Sequence, residues 1–129
     1  MLWWRENLAT GIKRIDDQHK GIFEKTEKVL SLDSSSDKKA VNDTFIFLMN
    51  YCVNHFSEEE QAMLEYGYKG FKHHREQHSY FIEELYKIHT DVKTNGINED
   101  ALDSLKVLVI DWLANHISEE DKKFAYSIN

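Results

Sequence analysis

The 129 residues, 41% of them hydrophobic and 30% charged, suffice for a single domain over 1–129 and exclude a catalytic domain joined to a regulatory one. A net charge of −7, with Lys and Arg scattered among acids, excludes a phosphate-binding face, so nucleic acid is not an expected partner. The absence of proline favours long uninterrupted helices.

The opening Met1-Leu2-Trp3-Trp4-Arg5-Glu6 lacks the basic start and apolar run of a signal peptide. No later stretch reaches the ~20 apolar residues of a membrane helix, so a soluble, cytoplasmic protein with no membrane partner is expected. Trp3 or Trp4 would either cover one end of the molecule or simply anchor an amino-terminal arm. The first helical stripe follows, with Ile12, Ile15, Ile22 and Val29 at steps of three and four once His19 and Thr26 fill the gaps. Asp33-Ser34-Ser35-Ser36-Asp37 breaks it with turn and capping residues. The second stripe is Val41, Phe45, Leu48, Cys52, His55, Glu59 and Ala62. Its cysteine has no partner in the chain and reads as a small buried hydrophobe.

Two glycines in Tyr66-Gly67-Tyr68-Lys69-Gly70 allow a chain reversal. A third stripe of Phe71, His74, His78, Phe81, Leu85, Ile88 and Val92 then runs to Asn95-Gly96. Leu102, Leu105, Val109, Trp112 and His116 form the fourth. Four such stripes joined by short polar turns predict an all-α fold: an antiparallel up-down-up-down four-helix bundle preceded by an arm. Asp121 stands five residues after His116, which a regular helix would turn roughly 140° off the stripe. Ser118-Glu119-Glu120-Asp121 has capping-box spacing, so a fresh turn starting at Ser118 is expected to swing Asp121 back inward.

His19, His55, Glu59, His74, His78 and His116 thus fall on core-facing positions, and Asp121 can join them. A carboxylate or imidazole in an apolar interior loses hydration worth several kcal/mol and persists only if hydrogen-bonded, paired or bound to metal. No basic residue on the stripes can neutralise the acids. His55 with Glu59, and His74 with His78, are four apart and can aim at the same ion or at neighbouring ions. His73 and His89 lie beside the pattern and read as partly exposed non-ligands, while Glu58 and Glu60 read as a solvated face. Five imidazoles and two carboxylates suit neither structural zinc nor calcium or magnesium; iron fits the mixture best. The Glu-x-x-His pairs of ferritin-like proteins are missing, as are His-Glu-x-x-His, phosphate loops and nucleophile motifs.

Taken in order, Thr10-Gly11-Ile12, Ile15-Asp16-Asp17-Gln18-His19-Lys20, His55-Phe56-Ser57-Glu58-Glu59, His74-Arg75-Glu76-Gln77-His78 and the run from Trp112 to Asp121 resemble the bacterial hemerythrins. The ordered set His, His-x3-Glu, His-x3-His, His-x4-Asp carries the resemblance. It implies two iron ions in an oxo- or hydroxo-bridged di-iron centre: His74, His78 and His116 on one, His19 and His55 on the other, Glu59 and Asp121 bridging both. It also implies one open position, on the iron with fewer nitrogens, where dioxygen binds. Ile22, Phe56, Trp112, Leu113 and Ile117 would line the oxygen pocket, although each also fits ordinary bundle core.

The function so implied is reversible oxygen binding for storage, delivery or scavenging. The alternatives are an enzyme reducing oxygen, peroxide or nitric oxide, and an oxygen sensor. The sensor ranks lowest, because no coiled-coil or output segment accompanies the bundle. A protein partner or electron donor is not indicated by the residues.

Overall fold

The computed structural model describes residues 8–128, apart from the side chain of Thr26. Trp3, Trp4 and the Thr26 position of the first stripe therefore lie outside the described residues and side chains. Three uninterrupted helices come first: α1 Lys13–Leu30, α2 Lys38–Glu65 and α3 Phe71–Asn95. The fourth rod, residues 99–128, is composite. It consists of α4 Glu99–Val107, a π-helical stretch Leu108–Trp112, α5 Leu113–Asn115, a second π-helical stretch His116–Asp121 and α6 Lys122–Ile128. The residue at each junction keeps right-handed helical angles, so the rod continues without a break.

Local chemistry sets the ends. Asp16, in the first turn of α1, reaches back to accept hydrogen bonds from Thr10 N and Thr10 Oγ1, both at 2.8 Å, which pins the approaching arm. After α2, Gly67 takes a φ of 66°, and after α3, Gly96 takes 85°; both are left-handed conformations that a Cβ would strain. Asn98 then caps α4, its side chain accepting from Ala101 N at 2.8 Å.

The apolar core is in two pieces. A large cluster contains Ile22, Cys52, Phe56, Phe81 and Ile117, and a small one contains Ile15, Met63 and Phe124, with Phe71 packed beside it. Along α1 the chain passes Ile15, His19, Ile22, from small cluster to large. In α2 it passes Phe56, Glu59, Met63, from large to small; α3 goes from Phe71 through His74 to Phe81, and the fourth rod from Ile117 through Asp121 to Phe124. The direction reverses from each rod to the next, three times in all, so the rods form an antiparallel up-down-up-down bundle, and the histidines and acids form a polar layer between its two apolar ends.

Among the described residues no helix is long and apolar enough to cross a membrane. The stripes hold with small shifts: Ala62 and Ile88 are half-buried, while Met63 takes the full core position beside Ala62.

Candidate metal centre

The polar layer receives side chains from all four rods. His19 comes from α1, His55 and Glu59 from α2, His74 and His78 from α3, and His116 and Asp121 from the second π-helical stretch; all seven are buried. His55 with Glu59 and His74 with His78 share a face because they are four apart in regular helix. His116 and Asp121 share one for a different reason from that expected. No capping box forms at Ser118, whose hydroxyl donates to Asn115 O at 3.3 Å within a continuous rod. Instead the stretch His116–Asp121 is wound as π-helix, whose i→i+5 hydrogen bonds widen the turn and return the fifth residue to the starting face.

Each carboxylate divides its two oxygens between two groups of imidazoles. Glu59 Oε1 lies 2.6 Å from His74 Nε2 and 3.2 Å from His78 Nε2, while its Oε2 lies 3.4 Å from His55 Nε2 and 3.5 Å from His19 Nε2. Asp121 Oδ1 lies 2.9 Å from His74 Nε2 and 3.2 Å from His116 Nε2, with Oδ2 at 2.9 Å from His19 Nε2. The donors thus fall into two overlapping sets, His74, His78 and His116 in one and His19 and His55 in the other. Glu59 and Asp121 belong to both, and the donor atoms within each set lie within 4.8 Å of one another.

His74 Nε2 and Glu59 Oε1 form a hydrogen bond, but the other short separations are poor ones. His19 Nε2, Glu59 Oε2 and both oxygens of Asp121 have no hydrogen-bond partner of acceptable geometry despite their close neighbours. His78 Nε2 and His116 Nε2 face each other at 3.0 Å, a contact for which one of the two must carry a proton or both must face a cation. Atoms aimed at a common point, rather than at one another, are what a metal site requires, and the nitrogen and carboxylate donors suit a transition metal.

Charge in the layer is held by mutual pairing. Burial disfavours the imidazolium of His19, yet Asp121 and Glu59 outweigh it and raise its pKa to about 10. The same contest at His74 ends at about 9. His55 is different: burial dominates and pulls it down to about 4. Glu59 and Asp121 are both held below the ordinary carboxylate range, the surrounding imidazoles overriding the burial that favours their neutral forms. In a metal-free chain protons bind this layer together, and cations would take their place.

The five residues expected to line a pocket are distributed unevenly. Ile22, Phe56, Leu113 and Ile117 are buried in the large apolar cluster, and Trp112 is half-buried against it. The Phe56 ring stacks on His78 at 3.9 Å, and Trp112 stacks on His116 at 5.0 Å, so these two aromatics touch the three-histidine set. Cys52 is buried as expected, its thiol pushed up to about 12 by burial.

His73 is exposed and meets Gln77 at 3.1 Å, and His89 is half-buried, bonded to Asn42 Oδ1 at 2.9 Å and stacked on Phe45; neither approaches the layer's donors. The reading of Glu58 and Glu60 as a solvated face requires correction. Both are half-buried partners of the layer: Glu60 Oε2 lies 3.0 Å from His78 Nδ1, and Glu58 accepts from Arg14 and from the side-chain amide of Gln18. Gln18 Oε1 in turn lies 2.8 Å from His55 Nδ1. No periodicity signals such contacts, because residues one position from a core residue sit at the edge of the buried face and find their partners on another helix.

The family described as the Hemerythrin HHE cation binding domain matches residues 10–126. A bacteriohemerythrin of Pseudomonas aeruginosa is 31% identical over 127 residues, covering 98% of this chain and 81% of the relative. The myohemerythrin of Theromyzon tessulatum is 27% identical, with 94% and 88% covered. Among solved structures, wild-type hemerythrin superimposes with a TM-score of 0.83 at 26% identity, covering 99% of this chain and 97% of the other.

Proposed function

This chain belongs to the hemerythrin family, and from that membership and the buried donor layer we infer that it is a non-haem di-iron protein that binds dioxygen reversibly. The observation that carries this reading is the division of each carboxylate between two sets of imidazoles, Oε1 and Oδ1 toward one and Oε2 and Oδ2 toward the other. We assign His74, His78 and His116 to one iron, His19 and His55 to the other, and Glu59 and Asp121 to both.

The asymmetry of that assignment supplies the function. One half has five protein donor atoms and the other has four, so the His19 and His55 half is where a small ligand finds room. When bound, two ferrous ions would supply the electrons that dioxygen binding draws on, and the protein's part is to hold donors in place and keep water out. Ile22, Phe56, Trp112, Leu113 and Ile117 are assigned to that second task. Apolar walls would deny water and protons a path to the centre. The reading names a binder for storage, delivery or scavenging, and it assigns no catalytic residue.

Reconstitution with ferrous iron under nitrogen, followed by cycles of air and nitrogen, tests it. The optical spectrum is expected to change on admission of air and to return on its removal over several cycles. Irreversible conversion in the first cycle, or continuous oxygen consumption with added reductant, would show a different activity at the same centre.

A further inference from the structure

Glu58 and Glu60 stand on either side of Glu59, on the shoulders of the α2 face that carries it; Glu60 ends on the outer nitrogen of His78, and Glu58 reaches that of His55 through Gln18. A carboxylate only accepts hydrogen bonds. At 3.0 Å from Glu60 Oε2, His78 Nδ1 must therefore carry the proton, which leaves the Nε2 lone pair turned inward toward Glu59 and His116. Arg75, with Nε 3.8 Å from Glu60 Oε1, supports that carboxylate from outside.

On the other side the same logic passes through one more residue. Glu58 accepts from Arg14 and from the Gln18 amide nitrogen, so the Gln18 amide can turn only one way, its oxygen toward His55 Nδ1 at 2.8 Å. Tyr51 holds the same turn of α1 by donating to Gln18 O at 3.0 Å, at a place where its hydroxyl occupies the space a Cβ on Gly21 would need. His55 Nδ1 is thereby the protonated nitrogen, and its Nε2 is free to face Glu59.

Resting on the di-iron reading above, we propose that Glu58 and Glu60 are positioning residues that fix the tautomer of one histidine ligand on each iron and make the irons electronically unequal. His78 bonds directly to an anion, whereas His55 bonds to a neutral amide that the anion merely orients. A hydrogen bond to a charged acceptor is roughly twice as strong as one to a neutral acceptor and pushes more electron density onto the ring. An iron held by His74, His78 and His116 would accordingly have the richer donor set and the lower potential.

Two sets of variants in the full chain test this, read by ferrous-iron affinity and by the reduction potential of the loaded protein. Glu60→Ala should weaken iron binding about 10–100-fold, the usual effect of losing an outer partner. Glu60→Gln should recover most of that affinity, since its amide oxygen still accepts from Nδ1, yet raise the potential by an amount equal to about a five- to tenfold change in the ferric-to-ferrous ratio. The double change Gln18→Glu with Glu58→Gln keeps net charge and hydrogen-bond count but moves the anion onto His55; it should shift the ratio the opposite way by a similar factor. A purely structural role would alter affinity alone. If Glu60→Gln and the double variant both hold full iron at the potential of the unmodified chain, the proposal is overturned. An unmodified chain that takes up no iron would be a failure of the di-iron reading itself, visible before any variant is made, and would remove the ground of this proposal too.

Discussion

At the scale of single residues, seven buried donors have to be reconciled with the interior of a small protein. In the metal-free chain the imidazoles of His19 and His74 serve as the counter-cations of Glu59 and Asp121, and their pKa values rise from 6.5 to about 10 and about 9. A group whose folded pKa is raised contributes stability that is complete below its unfolded pKa and is lost as pH climbs through the folded one. The depressed carboxylates act in the opposite, acidic range, and His55 is already neutral in both states above pH 7. The metal-free chain is therefore expected to lose thermal stability between pH 7 and 10, while the iron-loaded chain keeps it, because metal binding strengthens as protons leave its ligands. Paired melting curves across that range check the sign; a metal-free chain equally stable at both ends would contradict it. All seven donors are legible in the sequence: six occupy apolar-stripe positions, and Asp121 follows His116 at a step that a local irregularity can turn back inward. Gln18, Glu58 and Glu60 were not, because their partnerships cross between helices and leave no mark in the spacing along one.

At the scale of elements, α1, α2 and α3 follow from periodicity, and Gly67 and Gly96 end two of them with the left-handed angles glycine accommodates. The fourth rod was only half legible. Its five-residue step from His116 to Asp121 announced an irregularity, but serine-to-acid spacing suggested a restart where the structure inserts a π-helical turn. Local sequence cannot choose between these, because the π turn is rewarded only when both residues reach partners on other helices, such as His78 for His116 and His19 for Asp121. A π turn differs from an α turn by one residue, which makes deletions informative. Removing Ser118 should let the stretch close as ordinary helix with Asp121 and Phe124 still facing inward, and most of the iron should be retained. Removing Ser57 from regular α2 rotates Glu59 and Met63 ~100° away from His55 and should abolish iron binding. Metal analysis of the two purified deletions checks the contrast; equal loss in both would count against the π turn as the device that aims Asp121.

At the scale of the whole molecule, a polar layer interrupts the apolar core, with Ile15, Met63 and Phe124 on one side and the larger cluster on the other. Every rod crosses that layer once and contributes at least one donor. The layer therefore ties all four rods together, and the bundle's stability and its metal chemistry are coupled through the same side chains. The sequence made this visible as polar residues recurring mid-stripe on four helices; the division of the stripes into two apolar ends emerges only when the rods are laid antiparallel.

The most direct measurement is iron per folded chain after anaerobic loading with ferrous iron, made on the native protein and on His73→Ala and Glu59→Ala. Two irons are expected in the native chain and in His73→Ala, whose ring lies outside the layer, and a marked loss in Glu59→Ala, which removes a carboxylate shared by both sets. One iron or none in a folded native chain, or equal iron in the two variants, would contradict the account.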